Sequence, residues 1–392
     1  MPEATPRLMY MRRDGFDPVA ELGQLRAQAP VSRLDAGPSR DLTWLATSHT
    51  AVREVLGDAK RFSTDRWRGA SVYRPVGQAG NLLNYDPPAH TRLRKMLTPE
   101  FTVHRIRRLE PRIEALVAGR LDAMERAGPP VDLVPYFARP IPSVALCELL
   151  GVPRDDRAEF ERRSTIHLDQ TRDFAEREAY GFALHDYLAG LVARQRVDPD
   201  EDFLGMLVRQ HGAELSDEEL TGLGILMLLA GVDNISGMLG LGVLLLLQHP
   251  AQLALLREQP ERIGHAVEEM LRFLSVTHAP TPRRAVSDVT ISGQTIKAGD
   301  RVICSIPAAN RDAALGAQPD RFDITREPAS HVAFGHGIHH CVGAPLARME
   351  LRIGFRALLH RFPGLRLAVP FSDVHFRRNT PGYGVESLPV TW

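Results

Sequence analysis

At 392 residues, with 48 Lys and Arg matched by 48 Asp and Glu, the chain carries no formal net charge, which excludes the global basic field of a protein living on nucleic acid or anionic membrane. Hydrophobic residues at 44% and charged residues at 24% exclude a disordered or fibrous chain. The three cysteines, Cys147, Cys304 and Cys341, lie far apart, which excludes a disulfide framework or four-thiolate metal site and points to a reducing, cytoplasmic setting.

Residues 1–15 are mostly polar, with no apolar signal-peptide core, and read as a flexible segment ahead of a single domain that fills the chain. Apolar spacing of 3.6 residues predicts helices at about 48–57, 88–124, 141–150, 155–195, 260–274 and 344–361. Between the first two, Ser63 to Tyr85 mixes Gly, Pro, Asn and aromatics without a period, as in a long functional loop. Ser216 and Glu219 read as a capping box, and no breaker follows until His249-Pro250, giving a helix of about 30 residues, or about 45 Å. Its stretch Leu223 to Leu247 is long enough to cross a bilayer, but Asp233, Asn234 and Ser236 sit at its middle with no second span to shelter them. A buried core helix is therefore expected, the spine of one domain. Val289-Thr290-Ile291, Ser292-Gly293 and Gln294-Thr295-Ile296 read as a hairpin, and Arg301 to Ile306 as another strand. The fold class predicted is mainly α with a small β component, a single large helical domain around a long central helix. Among the basic residues only Lys60, Lys95 and Lys297 are lysine, a bias typical of a GC-rich, actinobacterium-like genome.

The most informative stretch is Phe334-Gly335-His336-Gly337-Ile338-His339-His340-Cys341-Val342-Gly343. Its glycines permit positive φ and close backbone approach to something large and flat, while Cys341 stands just before the helix opening near Ala344-Pro345, where a thiolate is stabilised. A zinc cluster is the competing reading, but three histidines and one cysteine within six residues lack the paired spacing of tetrahedral sites. A buried structural cysteine would not need three glycines around it.

Phe334-Gly-x-Gly-x-His339-x-Cys341-x-Gly343 resembles the haem-ligand signature of the cytochrome P450 family, and that family's other motifs follow in the right order over about Phe16 to Trp392. The resemblance implies the cytochrome P450 fold, haem b as cofactor and Cys341 as the axial ligand of its iron. Glu269 and Arg272, three apart on a helix, resemble the family's Glu-x-x-Arg pair; with Arg321 of Pro319-Asp320-Arg321-Phe322 they imply a buried network supporting the haem face. As a bare motif such a pair is more often a solvated helix bridge. His90 and Arg94, together with Arg283 and His339, resemble the partners of the haem propionates, four cations for two carboxylates. Singly, each would read as a surface cation.

Ala230-Gly231-Val232-Asp233-Asn234 resembles the family's oxygen-binding kink, Gly231 loosening the helix and Asp233 joining the proton route. The alternative for Asp233 is a satisfied core carboxylate. Asn234 departs from the family's usual threonine: its amide donates and accepts but has no exchangeable hydroxyl. Ser236, about 200° around the helix, cannot substitute. Either water or a substrate hydroxyl replaces the threonine, or the Asn234 amide orients bound oxygen, or the reaction is a less usual oxidation such as ring coupling.

The resemblance places substrate against the Ser63–Tyr85 loop with Leu82 and Leu83, the 155–195 helix pair, Leu226, Leu229 and Ala230, Val276 to Ala279 with Thr277, and the turn Pro381 to Gly384 with Tyr383. Arg92, Lys95, Arg105, Arg107 and Arg108 read as a cationic patch for an acidic ferredoxin or as a solvated helix face. Electrons then come from a separate ferredoxin and ferredoxin reductase. The implied function is insertion of one oxygen atom from O2 into a bulky apolar secondary metabolite by a monomeric, cytoplasmic enzyme. A macrolide or other polyketide ranks first as substrate, with oxidation or coupling of an amino acid or peptide on a carrier protein as the alternative. From another class, a non-catalytic haem protein would bind a ligand or carrier and present it.

Overall fold

Four helices matter most for the site: α1 (Ala89–Leu97), α2 (Asp217–Gln248), α3 (Ile263–Leu274) and α4 (Ala344–Arg361). The computed structural model describes residues 9–34, 43–64, 79–169, 172–278, 281–377 and 382–392. The capping box opens α2 as expected, with Glu219 N–H donating to Ser216 Oγ at 3.1 Å and Ser216 N–H to Glu219 Oε2 at 3.2 Å. In its most apolar stretch α2 is 72% buried, the signature of a core helix.

Backbone contacts group the described parts into two units interleaved along the chain. The first takes in residues 1–66, 241–341 and 381–384, the second residues 67–240, 342–380 and 385–392. The residues of α2 up to Gly240 belong to the second unit and those from Leu241 to the first.

In the first unit a five-stranded sheet runs in the order Val31–Leu34, Thr43–Ala46, Arg301–Cys304, Arg283–Ala285, Phe62–Ser63, with only the Thr43–Ala46 and Arg301–Cys304 pair parallel. Trp44, Val52, Val55, Phe62, Ile296 and Val302 form its apolar core. The separate hairpin Val289–Ile291/Gln294–Ile296 turns on Ser292 (φ 47°) and Gly293 (φ 75°), two consecutive positive φ values that match the twist of a tight hairpin. The strand read to Ile306 stops at Cys304, because Ser305 accepts from Ala308 N–H and caps the short helix Ile306–Ala309.

The N-terminal residues depart from the flexible segment expected. From Met9 on they are built in: Arg13 donates to the Leu274 and Ser275 carbonyls at 3.2 and 2.7 Å, and Asp17 pairs with the buried Arg311 at 2.8 Å. Leu274 and Ser275 at the end of α3 are buried, so their carbonyls need protein donors, and Arg13 supplies them. Residues 1–8 lie outside the described residues.

In the second unit the helix expected over 88–124 is interrupted. Pro99 starts a 3-10 turn, Thr102 accepts from Arg105 N–H to cap Val103–Ile106, and Pro111 opens Glu110–Ala127. The 155–195 region is a pair, Arg157–Leu168 and Phe174–Val197, the second capped by Asp173. Glu110–Ala127 packs along α4, where Arg361 forks to Asp122 and Glu125 at 2.5 Å each.

Glu350 of α4 is only 3% exposed, and burial alone pushes its carboxyl up to about 8. In the fold it stays neutral while in the unfolded chain it ionises above about pH 4.3, so the stability it contributes is complete below that and is lost as pH rises towards 8. Glu350→Gln removes the titration; its denaturant midpoint is expected to match that of the parent near pH 5 and to exceed it at pH 8, a gap on the order of a few kcal/mol.

Candidate functional site

The first unit contributes the cysteine loop. Gly335 and Gly337 both adopt φ +73°, and a Cβ on Gly337 would lie 2.5 Å from the Leu56 carbonyl, so only glycine closes the loop onto its neighbour. The loop is held at its base by Cys341 N–H donating to the Phe334 carbonyl at 2.9 Å, and Gly343 is the residue from which α4 starts. Cys341 is exposed, whereas Cys147 and Cys304 are buried and their thiols pushed up to about 12 by desolvation. His339 Nε2 stands 3.4 Å from Thr64 Oγ1, and Arg283, 7% exposed, donates to the Thr281 carbonyl at 2.9 Å.

Beneath the loop lies the buried network, with one correction. Glu269, 4% exposed, takes Arg272 Nε at 2.7 Å and Nη2 at 2.8 Å, then Asp323 N–H at 3.0 Å and Arg326 Nε at 3.3 Å. Arg321, the residue expected here, is exposed and offers only its carbonyl, to Arg272 at 3.3 Å and to Arg326 at 3.2 Å. Five residues further on, Arg326 reaches the carboxylate that Arg321 does not.

The second unit contributes His90 and Arg94 of α1. His90 is 2% exposed, and burial first, then the Arg94 charge, push it down to about 4. With no anion against it, the imidazole is neutral near pH 7. An anion against His90 would draw its pKa back up.

On α2 the helical pattern continues across Gly231, so the expected kink is not a break in the helix. Ala230 is exposed, Leu229, Gly231, Asp233 and Asn234 are half-buried, and the flanking turns are buried. Ala230 and Asn234, four apart, share one face, and Asn234 Nδ2 donates back to the Ala230 carbonyl at 3.2 Å. Asp233 is ion-paired with Arg377, a residue with no sequence signal to mark it, 144 positions away. Arg139 stands close by, its guanidinium pushed down by burial and next by the Arg377 charge.

The expected pocket residues divide. Leu82 and Leu226 are buried, Leu229 is half-buried and Leu83 is 41% exposed, all in the second unit. In the first unit the Thr277–Gly382 bridge brings Val276, Thr277 and Tyr383 together, Tyr383 N–H donating to the Val276 carbonyl at 2.7 Å. Tyr383 is 3% exposed, its hydroxyl committed to the Gly15 carbonyl and its ring to Arg13 and His278, so its role is to hold this turn. Ala279, Pro381 and residues 65–78 lie outside the described residues. In the cationic patch Arg92, Lys95, Arg107 and Arg108 are exposed; Arg92 pairs with Glu219, and the half-buried Arg105 with Glu100.

The sequence profile described as Cytochrome P450 matches residues 183–388. Among solved structures, P450 StaH from glycopeptide antibiotic A47934 biosynthesis is 52% identical with a TM-score of 0.91, covering 98% of this chain and 100% of that one. OxyB from teicoplanin biosynthesis, in complex with the X-domain, is 52% identical (TM-score 0.91, 99% and 100% covered). OxyC, a cytochrome P450 implicated in an oxidative C–C coupling reaction during vancomycin biosynthesis, is 48% identical (TM-score 0.90, 98% and 97%). The chain belongs to the cytochrome P450 family. It is an oxidoreductase of the monooxygenase class with haem as cofactor, and it draws electrons from a redox partner.

The residues present fit that cofactor. A soft, exposed sulfur on a glycine loop suits an iron ligand, and the buried Arg283 and His90 with Arg94 suit carboxylates.

The corrected network carries its own test. Arg326→Ala should destabilise by about 3 kcal/mol, because it strips a cation from a buried carboxylate. Arg321→Ala should stay within about 0.5 kcal/mol of the parent. Denaturant midpoints of the two variants decide between them.

Proposed function

We propose that this P450 performs oxidative coupling of aromatic side chains in a peptide held on a carrier protein. The polyketide reading ranks first from sequence, but the alternative gains the support of similar structures from glycopeptide antibiotic biosynthesis, one implicated in oxidative C–C coupling and one in complex with an X-domain. Within the chain, the observation that carries it is Asn234: the position next to Asp233 offers an amide tied to the Ala230 carbonyl, not a hydroxyl. Coupling removes one hydrogen from each of two rings and joins the rings by a new bond. With O2, two electrons from the redox partner and two protons, it yields two waters, and no oxygen atom stays in the product.

In this reading Cys341 ligates the haem iron, with Phe334, Gly335 and Gly343 shaping its loop. Arg94 and Arg283 supply charge to the propionates while His90 and His339 supply hydrogen bonds. Haem, when bound, supplies the oxidising equivalent, with the thiolate favouring O–O cleavage. Asp233, steadied by Arg377, exchanges protons, and Asn234 keeps the α2 face polar without passing a proton itself. Ferredoxin and ferredoxin reductase are the electron donors, Lys95, Arg107 and Arg108 offering positive charge to the former, in a cytoplasmic setting.

The test is reconstitution with ferredoxin, reductase and NAD(P)H on an aromatic-rich peptide, offered free and as a carrier-protein thioester. A product lighter by two hydrogens, formed from the tethered peptide, is expected. A product heavier by one oxygen, or turnover of a free polyketide alone, would overturn the proposal. Asn234→Thr should then change the hydrogen peroxide released per coupled product severalfold, read by peroxide assay against mass spectrometry, since it adds a hydroxyl that can relay the protons the reaction consumes.

A further inference from the structure

The segment leading into the cysteine loop is tied to α3 by a second set of contacts, separate from the Glu269 network. His331 Nδ1 lies 3.3 Å from Ala333 N–H, and a backbone N–H can only donate, so Nδ1 must be bare and accept. The ring proton is then on Nε2, which donates to Glu268 Oε2 at 3.2 Å. The His331 side chain is 5% exposed, so neither contact is readily replaced by water. Alongside, Asn310 Oδ1 takes Val332 N–H at 2.8 Å, while its Nδ2 donates to Ser275 Oγ, itself bonded to the Arg272 carbonyl. Two consecutive peptide N–H groups are thereby fixed immediately before Phe334, and the Phe334 carbonyl is the acceptor for Cys341 N–H.

We propose that His331 is a positioning residue for Cys341. Glu268 selects the tautomer that leaves Nδ1 bare, Nδ1 fixes the Ala333 peptide, and the fixed Phe334 carbonyl holds the Cys341 N–H beside the sulfur. Adjacent carboxylates on α3 thus divide the work: Glu269 anchors the segment around Asn310 and Asp323, and Glu268 sets the entry to the loop. A slack Ala333 peptide lets the Phe334 carbonyl drift, frees the Cys341 N–H that it accepts, and leaves the Cys341 sulfur less firmly placed to ligate iron. The proposal rests on reading Cys341 as the haem ligand.

The experiment uses the haem-loaded protein and reads the ferrous carbonyl spectrum, whose Soret band separates thiolate-ligated from thiol-ligated haem. Loss of the thiolate band in Cys341→Ser verifies the ligand, and its persistence would sink that reading and this one with it. His331→Asn places an amide oxygen near the Nδ1 position, and His331→Gln places an amide near Nε2 without that acceptor. The Asn variant should keep the thiolate band, whereas the Gln variant should show about tenfold more haem without thiolate ligation. If Cys341→Ser loses the band but the two His331 variants behave alike, the positioning role is wrong. If His331→Gln fails to retain haem, Glu268→Gln decides the matter, because an amide supports either tautomer. Amide hydrogen exchange over residues 333–341 should then be about tenfold faster than in the parent, and unchanged protection would overturn the proposal.

Discussion

A carboxylate as deeply buried as Glu269 is tolerable only because two guanidiniums and a backbone N–H surround it, and much of the first unit is arranged by what that neutralisation requires. Once Arg272 is fixed by Glu269, its remaining donors reach the carbonyls of Asn310, Pro319 and Arg321, drawing in three stretches of irregular chain that no helix or sheet would hold. Asn310, so placed, takes Val332 N–H, and the chain from Val332 onward becomes the cysteine loop. The ion pair therefore acts less as a source of net stability than as a template: its desolvation cost is offset by geometry, and that geometry is what the loop needs.

The same logic explains how far the sequence could be read. Local devices were legible because their partners are neighbours: Ser216 with Glu219, Ser292-Gly293 at the hairpin, and Glu269 with Arg272 one helical turn apart. Interruption of the 88–124 helix also had local causes, Pro99, Thr102 and Pro111, which apolar periodicity alone overrode. Long-range partners were not legible. Nothing in the pattern distinguishes Arg326 from Arg321 as the third member of the network, since both are arginines in one irregular stretch and only the folded chain decides which carbonyl or guanidinium turns inward. Arg377 and Arg13 are harder still, each meeting its partner across most of the chain. The bond from the Tyr383 hydroxyl to the Gly15 carbonyl, 368 positions away, was likewise not legible, because burial of a hydroxyl cannot be read from its neighbours in sequence.

His90 shows that residue type and charge state are separate questions. The motif places the imbalance of charge correctly around an anionic ligand, yet burial beside Arg94 leaves the imidazole neutral. An anion arriving there would be met by a hydrogen-bond donor first and would draw up a proton as it settled, so that the charge appears where and when it is needed rather than standing uncompensated in the fold.

The central helix presents the complementary problem. A polar stripe inside an apolar helix costs free energy, and α2 confines it to one half-open turn where Asp233 finds Arg377 and Asn234 finds a carbonyl of its own helix. The Asn234 amide is tied back to the Ala230 carbonyl one turn earlier. A threonine there would present a hydroxyl that can pass a proton onward, while the asparagine closes that route and leaves Asp233 as the ionisable group of the turn. The proposed coupling still consumes protons at oxygen, and with no hydroxyl at position 234 their delivery falls to Asp233, which Arg377 steadies.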